Sequence, residues 1–181
     1  RAAQTVKKVF LELGGKSANI ILDDANLKTS LFSCIGVCFH SGQGCAILTR
    51  LLVSRSRQAE VEALLPTYFG YIQYGDPQSD SQIMGCLINA RQRDRVLAYI
   101  EKGKAEGARL LMGGGVPAHL EKGYYVEPTV FVDVTNDMTI AREEIFGPVL
   151  VVIAYDEEED AVRIANDSDY GLSGGVWSAS E

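Results

Sequence analysis

The sequence contains no apolar run long enough to cross a lipid bilayer. Its longest purely apolar stretch, from Val149 to Tyr155, is far shorter than the roughly 20 residues that a transmembrane helix needs. The N-terminal stretch also lacks the basic and then apolar pattern of a secretory signal peptide. We therefore expect no membrane association.

Basic residues are scarce relative to acidic ones. The chain has 17 lysine and arginine residues against 24 aspartate and glutamate residues, which gives a formal net charge of -7. Nucleic acids and anionic membrane surfaces both favour basic protein surfaces. The charge balance therefore argues against either as a partner.

Cysteine is scarce as well. Four cysteines occur in 181 residues, and they are Cys34, Cys38, Cys45 and Cys86. Domains held together by disulfides are usually shorter and much richer in cysteine. We expect a reducing, cytoplasmic setting in which the thiols remain free for packing or chemistry.

Apolar, β-branched runs alternate with amphipathic stretches along the chain, a pattern typical of an α/β protein. The pattern predicts strands at 9–13, 19–22, 51–53 and 149–154, and extended chain from 174. It predicts a helix that starts at Leu27, with Asn26 as a cap, and stops near Ser41 and Gly42, and further helices at 58–69, 89–106 and 157–166. We expect one α/β domain over residues 1–181.

Two further stretches have a local interpretation. The glycines at 113–115 are followed by extended chain, whereas a phosphate-binding loop should open a helix, so they indicate a turn. The segment 124–134 is extended, but Pro128 lies inside it, which predicts an edge strand or a break.

The first candidate for chemistry is Cys45, which follows the run Gly42, Gln43, Gly44 at the end of a predicted helix. Glycine-rich backbone can approach a ligand closely, and its N–H groups can point toward a developing oxyanion. A thiolate there would be a competent nucleophile. Free cysteine is also among the most buried residue types, which favours a core position for Cys45 when this feature is taken alone.

The same region offers a metal-binding alternative through Cys34, Cys38, His40 and Cys45. Zinc sites usually have paired cysteines two to four residues apart followed by a second pair. Here the pattern is C-x3-C-x-H-x4-C, with three of the four residues on one predicted helix and the fourth past its end, so we expect no metal site. Cys34 and Cys38 share one helix face and are expected to belong to the core.

Two acidic motifs complete the candidates. Glu12 lies at the end of the predicted strand 9–13, before Gly14 and Gly15, where a carboxylate could act as a general base or simply face solvent. Glu144 precedes a Phe-Gly-Pro turn that projects Phe146. An acid beside such an aromatic could hold a ribose hydroxyl while the ring packs against a flat heterocycle.

Taken in order, these three motifs resemble those of the NAD(P)-dependent aldehyde dehydrogenase superfamily. The run from Leu11 to Ser17 resembles its glutamate signature, and the run from Phe39 to Cys45 resembles its cysteine signature. The run from Glu143 to Pro148 resembles its cofactor-contact motif. The resemblance covers essentially the whole chain.

The resemblance implies the α/β fold of the aldehyde dehydrogenase catalytic domain, an open, mostly parallel sheet flanked by helices. It implies Cys45 as the nucleophile and Glu12 as the general base. The implied contacts to the cofactor, NAD or NADP, are Leu13, Glu144 at the nicotinamide ribose, Phe146 at the nicotinamide, and Gln92 and Arg95 at the adenosine end. The implied reaction oxidises a small-molecule aldehyde to a carboxylic acid through a thioester on Cys45.

The chain departs from the family pattern at four positions. His40 stands where members often have Asn, Cys38 where they have an aromatic residue, Gly44 where they have a bulkier residue, and Cys86 where many have Pro. The nucleophile motif remains intact. His40 and Gly44 are expected to alter the shape of the substrate tunnel.

Family members also carry an N-terminal dinucleotide-binding domain and continue beyond Trp177. The resemblance therefore implies that residues 1–181 are a partial catalytic domain, inactive by itself, from a parent that is a homo-oligomer. Two other hypotheses remain open: a non-catalytic interaction or folding unit, and a cysteine hydrolase using Cys45 with His40 or His119.

Overall fold

A single sheet lies at the centre of the computed structural model, which describes residues 1–180. Its strands, in chain order, are β1 (Ser17–Ile21), β2 (Leu48–Ser54), β3 (Arg109–Met112), β4 (Thr129–Val132), β5 (Val149–Tyr155) and β6 (Gly174–Trp177). Across the sheet the order is β3-β4-β5-β2-β1-β6. All neighbours are parallel except β3 and β4, which confirms the open, mostly parallel sheet.

Helices cover both faces of this sheet. They are α1 (Leu27–Ser30), α2 (Gln58–Phe69), α3 (Ala90–Ala105), α4 (Thr139–Arg142) and α5 (Glu158–Asn166), with 3-10 helices at Ala2–Thr5 and Leu31–Gly42. Side-chain alternation along β5 shows the two layers. Val151 packs in the core cluster that includes residues of α3 and α5, and Leu150 packs in the cluster that includes residues of α2 and the Leu31–Gly42 helix.

The helix boundaries follow the capping chemistry of the sequence. The side chain of Asn26 accepts a hydrogen bond from Lys28 N, and that of Asn89 accepts one from Gln92 N. At α5, Glu157 and Asp160 form a reciprocal capping box, and the first turn is acidic. The predicted helices at 58–69, 89–106 and 157–166 are thereby confirmed.

The predicted strand at 9–13 is wrong. Residues 7–16 are irregular, and β1 begins only at Ser17. Phe10, Leu11 and Leu13 are exposed, because within residues 1–180 no strand pairs with this segment. An apolar run has strand propensity, but it forms a strand only where a partner completes its hydrogen bonds.

Two other predictions need correction, and one strand was missed. The helix predicted from Leu27 to near Ser41 and Gly42 is one α-helical turn followed by a 3-10 helix, and its helical dihedral angles end before Phe39. Pro128 does mark a break, but β4 begins directly after it and lies inside the sheet between β3 and β5, so it is no edge strand. The short strand β3 was not predicted.

The sheet topology brings the sequence motifs together. Strands β5, β2, β1 and β6 are adjacent and parallel, so the segments that enter them converge on one edge of the sheet. Gly14 and Gly15 precede β1, Cys45 precedes β2, and Glu144 precedes β5. No helix in residues 1–180 is long and apolar enough to span a membrane.

Candidate functional site

Cys45 lies in the connection between the Leu31–Gly42 helix and β2. The turn closes around it, since Ile47 N donates to Gly44 O at 3.4 Å. The Gln43 side chain holds the preceding residues by donating from Nε2 to His40 O at 3.2 Å and accepting from Ile88 N at 3.0 Å. The cysteine is therefore presented by a fixed turn.

An open, largely apolar cavity of about 440 Å³ borders this turn. Cys45 is half-buried and lines it, together with Phe39, His40, Gly44 and Ile47 among others. Such a volume is within the range of small-molecule sites. Cys45 is therefore not a core residue, which overturns the packing interpretation.

The other cysteines differ in environment. Cys34 and Cys38 are buried, as predicted. Burial raises the pKa of each of these two thiols to about 12, so both stay protonated and inert near neutral pH. Cys86 is half-buried, and it does not line the cavity beside Cys45.

Gly15 joins the glutamate motif to the cysteine motif. A β-carbon on Gly15 would lie 2.0 Å from the carbonyl oxygen of Cys45, so only glycine allows this approach. Its N–H donates to Oε1 of Glu144 at 3.0 Å. All three motifs therefore meet at one residue.

A second glycine joins the cysteine motif to the Phe-Gly-Pro turn. Gly42 has a φ of +73°, and a β-carbon there would lie 2.1 Å from the carbonyl carbon of Gly147. Both the left-handed conformation and the close approach require glycine. Gly42 thus packs the cysteine motif directly against the Phe-Gly-Pro turn.

Glu12 and Leu13 lie at the rim of this arrangement. Both are exposed, and neither lines the cavity beside Cys45. Within residues 1–180 the Glu12 carboxylate accepts no hydrogen bond from another residue. Its role as general base and the cofactor contact of Leu13 remain predictions.

Gln92 and Arg95 project from α3 onto the loop that carries Glu144 and Phe146. Gln92 Nε2 donates to Phe146 O at 2.7 Å and to Ile145 O at 3.2 Å. Arg95 donates to Glu144 O at 2.8 Å. Phe146 is half-buried with a φ of 59°, a conformation that these contacts help to hold. The contact of Gln92 and Arg95 with the adenosine end of the cofactor remains a prediction.

Sequence reasoning missed two buried basic residues, Lys16 and Arg50, each 2% exposed. Arg50 donates to the carbonyl oxygens of Lys16 at 2.8 Å and of Ile164 and Ala165 at 2.9 Å, and to Asn136 Oδ1 at 2.8 Å. Among the residues that the structure describes, none forms a hydrogen bond with Lys16 Nζ. The only sequence signal for Lys16 and Arg50 is that each basic residue stands beside an apolar strand. The alternation of side chains along a strand would predict that both face solvent.

The geometry gives little support to the two alternatives, a metal site and a cysteine hydrolase. Among residues 1–180, no group of three or more His, Cys, Asp and Glu side chains is placed to hold a metal ion. His40 lines the same cavity as Cys45. It adopts a left-handed φ of 51°, and within the described chain its ring makes no hydrogen bond to the thiol.

Fold and site together define an α/β domain that presents a thiol in a ligand-sized cavity. The sequence pattern of the aldehyde dehydrogenase family matches residues 1–181. The chain belongs to the aldehyde dehydrogenase family, which confirms the resemblance drawn from its motifs.

Curated relatives of this chain include betaine aldehyde dehydrogenases. Those of Rhizobium etli and Brucella anthropi are 47% and 46% identical to this chain, over 98% and 99% of its length. Each alignment covers 37% of the relative. The chain thus spans just over a third of the length of the curated relatives it matches.

Solved structures agree on the fold. An aldehyde dehydrogenase of Mycobacterium tuberculosis complexed with NAD+ is 50% identical with a TM-score of 0.94, over 98% of this chain and 37% of that one. A cysteine-to-alanine variant of aldehyde dehydrogenase C from Pseudomonas syringae, complexed with NAD+ and octanal, is 47% identical with a TM-score of 0.95, over 99% of this chain and 37% of that one. The predicted catalytic-domain fold is confirmed.

Proposed function

We propose that this chain is the thiol-bearing part of an NAD(P)-dependent aldehyde dehydrogenase that oxidises an aldehyde to a carboxylic acid. The observation that carries the proposal is the meeting of three motifs at Gly15, which contacts the Cys45 backbone and donates to Glu144. This convergence puts a thiol, a carboxylate-bearing segment and a cofactor-contact loop at one edge of the sheet.

Cys45 is the nucleophile in this proposal. Its thiolate adds to the carbonyl carbon of the aldehyde, and the oxygen that becomes negative accepts a hydrogen bond from the Cys45 N–H. Cys34 and Cys38 cannot substitute for it, since both are buried with strongly raised pKa values. NAD or NADP, which Glu144 and Phe146 would hold, would supply the hydride acceptor, so that Cys45 would carry the acyl group as a thioester.

Glu12 is the general base that activates the water for thioester hydrolysis. It stands three residues before Gly15, in an irregular segment, so the Gly15 contact fixes one end of its segment near the thiol. Its exposure leaves it open to water. A carboxylate on such a segment can turn toward the site when substrate binds.

The residues at the cofactor-contact loop fit a nicotinamide ribose. Oε1 of Glu144 accepts from Gly15 N, and Oε2 lies beside Gly14, where a β-carbon would stand 2.7 Å away. In the described part of the chain Oε2 accepts no hydrogen bond, so it remains available to a ribose hydroxyl. Gln92 and Arg95 position the loop, and Phe146 and Leu13 offer apolar surface to the cofactor.

The lining of the cavity beside Cys45 favours an uncharged aldehyde with a hydrocarbon chain. Phe39 and Ile47 line it, and none of its lining residues in the described chain is acidic. Octanal, the ligand named for the Pseudomonas syringae neighbour, has this chemistry. A betaine aldehyde carries a quaternary ammonium, which several Trp, Tyr or Phe faces or a carboxylate would hold better than Phe39, the one such side chain that the described residues contribute to the cavity.

The test is dehydrogenase activity of the full-length parent enzyme carrying Cys45→Ser, with Cys86→Ser as the matched control. We expect Cys45→Ser to lower kcat by on the order of a thousandfold or more, and Cys86→Ser to retain most activity. Comparable activity of the two variants would contradict the assignment of the nucleophile. Residues 1–181 alone should neither bind NAD tightly nor turn over.

The proposal also covers the cellular compartment and the oligomeric state of the parent enzyme. Cys34 and Cys38, like Cys45 and Cys86, are free thiols, which supports a reducing, cytoplasmic compartment. We expect the parent to be a homo-oligomer. Size-exclusion chromatography with light scattering measures that state directly.

A further inference from the structure

The turn that leads to Cys45 has an unusual backbone. His40, Ser41 and Gly42 are three consecutive residues in the left-handed region, with φ values of 51°, 58° and 73°. Residues that carry a side chain seldom adopt this conformation, and they persist in it where the surrounding structure over-determines the backbone. Glycine accounts for the third position, but His40 and Ser41 need contacts that hold them there.

Ser41 supplies such a contact through its side chain. It is 3% exposed. Its hydroxyl donates to the carbonyl oxygen of Gly85 at 2.8 Å, and the carbonyl oxygen of Cys86 lies 3.2 Å from the same hydroxyl. A serine has one O–H donor, so a single buried proton serves both acceptors. The hydroxyl therefore ties the turn to a segment that begins 44 residues further along the chain.

The segment that accepts this hydrogen bond, residues 85–88, is itself fixed. Leu87 is 1% exposed, and its N–H donates to the carbonyl oxygen of Tyr124 at 2.9 Å. Ile88 N donates to Oε1 of Gln43 at 3.0 Å. The segment therefore holds the turn at two positions, Ser41 and Gln43, and acts as its support.

The same turn also touches the cofactor-contact loop. A β-carbon on Gly42 would lie 2.1 Å from the carbonyl carbon of Gly147, so the two backbones are in direct contact. Gly42 directly follows Ser41 and comes three residues before Cys45. A shift of Ser41 would therefore change how the thiol segment packs against the loop that carries Glu144.

We propose that Ser41 is a positioning residue for aldehyde oxidation, whose hydroxyl sets the distance between the Cys45 thiol and the cofactor-contact loop. This inference rests on the proposed function. Transfer of hydride from the substrate carbon on sulfur depends on that distance, because misplacing reacting groups by about 1 Å can cost about a hundredfold in rate. Attack of the thiol on a freely diffusing ester does not involve the loop, so it is insensitive to the same shift.

The experiment compares Ser41→Ala and Ser41→Gly in the full-length parent enzyme. Both substitutions remove the hydroxyl, but glycine relieves the left-handed strain that alanine keeps. We expect both variants to form NADH from octanal and NAD about tenfold more slowly in the first turnover. Acylation of Cys45 by p-nitrophenyl acetate, measured without NAD as release of nitrophenol, should stay within about twofold of the wild-type rate. Ser79→Ala, at an exposed serine, should change neither rate.

Urea denaturation of the same variants separates positioning from stability. Ser41→Gly should be the more stable of the two, because its backbone is unstrained. If Ser41 were merely structural, NADH formation would follow stability, with Ser41→Gly close to wild type. That pattern would overturn the proposal, as would an equal loss of NADH formation and acylation, or wild-type NADH formation in both variants.

Two further outcomes are distinguishable. If Ser41→Ala does not fold, Ser41→Gly alone still compares NADH formation with acylation, and wild-type NADH formation or an equal loss of both reactions would overturn the proposal. A wild-type parent that forms no NADH from any aldehyde would refute the proposed function and this inference with it. Failure of the inference alone would leave wild-type turnover intact.

Discussion

Gly15 packs its α-carbon against the carbonyl oxygen of Cys45, leaving no room for a side chain between the segments that lead into β1 and β2. A β-carbon at this position would overlap that oxygen at 2.0 Å. The contact is backbone against backbone, so no side-chain rotation can relieve the overlap. The geometry of the thiol therefore depends on a residue thirty positions away from it.

Gly15→Ala should destabilise the protein, because one of the two segments must move. We expect a loss of about 2 kcal/mol or more in the free energy of unfolding, measured by urea denaturation. Gly36→Ala is the control: a β-carbon there meets nothing within 4 Å, and the change should stay within about 0.5 kcal/mol. Equal effects of the two substitutions would argue against the close approach.

Arg50 connects the start of β1 to the end of α5 by hydrogen bonds to Lys16 O, Ile164 O and Ala165 O. Arg50→Met would leave these buried acceptors unpaired, and we expect it to cost about 3 kcal/mol or more. Arg55→Met is matched in chemistry but removes only an exposed ion pair with Asp156, so it should cost under about 1 kcal/mol. Chemical denaturation of both variants distinguishes them, and similar losses would contradict the structural role of Arg50.

Much of the fold was predictable because its signals are local. Caps such as Asn89 and the acidic start of α5 are satisfied within a turn of the chain, and the apolar run of β5 indicates a buried strand by itself. The strand expected at 9–13 failed because strand formation depends on a partner distant in sequence. Burial of Lys16 and Arg50 was unpredictable for the same reason: the helix end that accepts from Arg50 lies more than a hundred residues further on.

The site itself was predicted as a set of motifs, but the way they meet was not. The resemblance indicated Cys45, Glu12 and Glu144 as separate signatures. Only the strand order, with β2 between β5 and β1, makes their loops neighbours. The contacts of Gln92 with the loop carbonyls likewise depend on where α3 crosses, which no periodicity in the sequence specifies.

Gln92→Ala should weaken binding of NAD by the parent enzyme. Its side-chain amide holds the carbonyl oxygens of Ile145 and Phe146, and loss of about 1–2 kcal/mol of support corresponds to roughly tenfold in the dissociation constant. The rate of Cys45 alkylation by iodoacetamide should be unchanged. The control is Arg93→Ala, because the Arg93 side chain donates to its chain neighbour Asp94 and not to the loop carbonyls. Identical NAD affinities of the Gln92→Ala and Arg93→Ala variants would refute the positioning role of Gln92.

The pH dependence of stability should report the buried amine of Lys16. Its pKa is lowered from 10.5 to about 7 on folding, so between these values the unfolded chain binds more protons than the folded one. The free energy of unfolding therefore rises with pH across this window, and the full cost of burying the charge is present below it. Lys16→Met removes that cost.

Lys16→Met should consequently stabilise the protein most in acid. We expect a gain on the order of several kcal/mol at about pH 6, shrinking steadily toward about pH 10. Urea denaturation at a series of pH values measures the difference between variant and wild type, and Lys28→Met, at an exposed position, should show no such trend. A difference for Lys16→Met that is constant with pH would mean that the lysine keeps its proton when the chain folds.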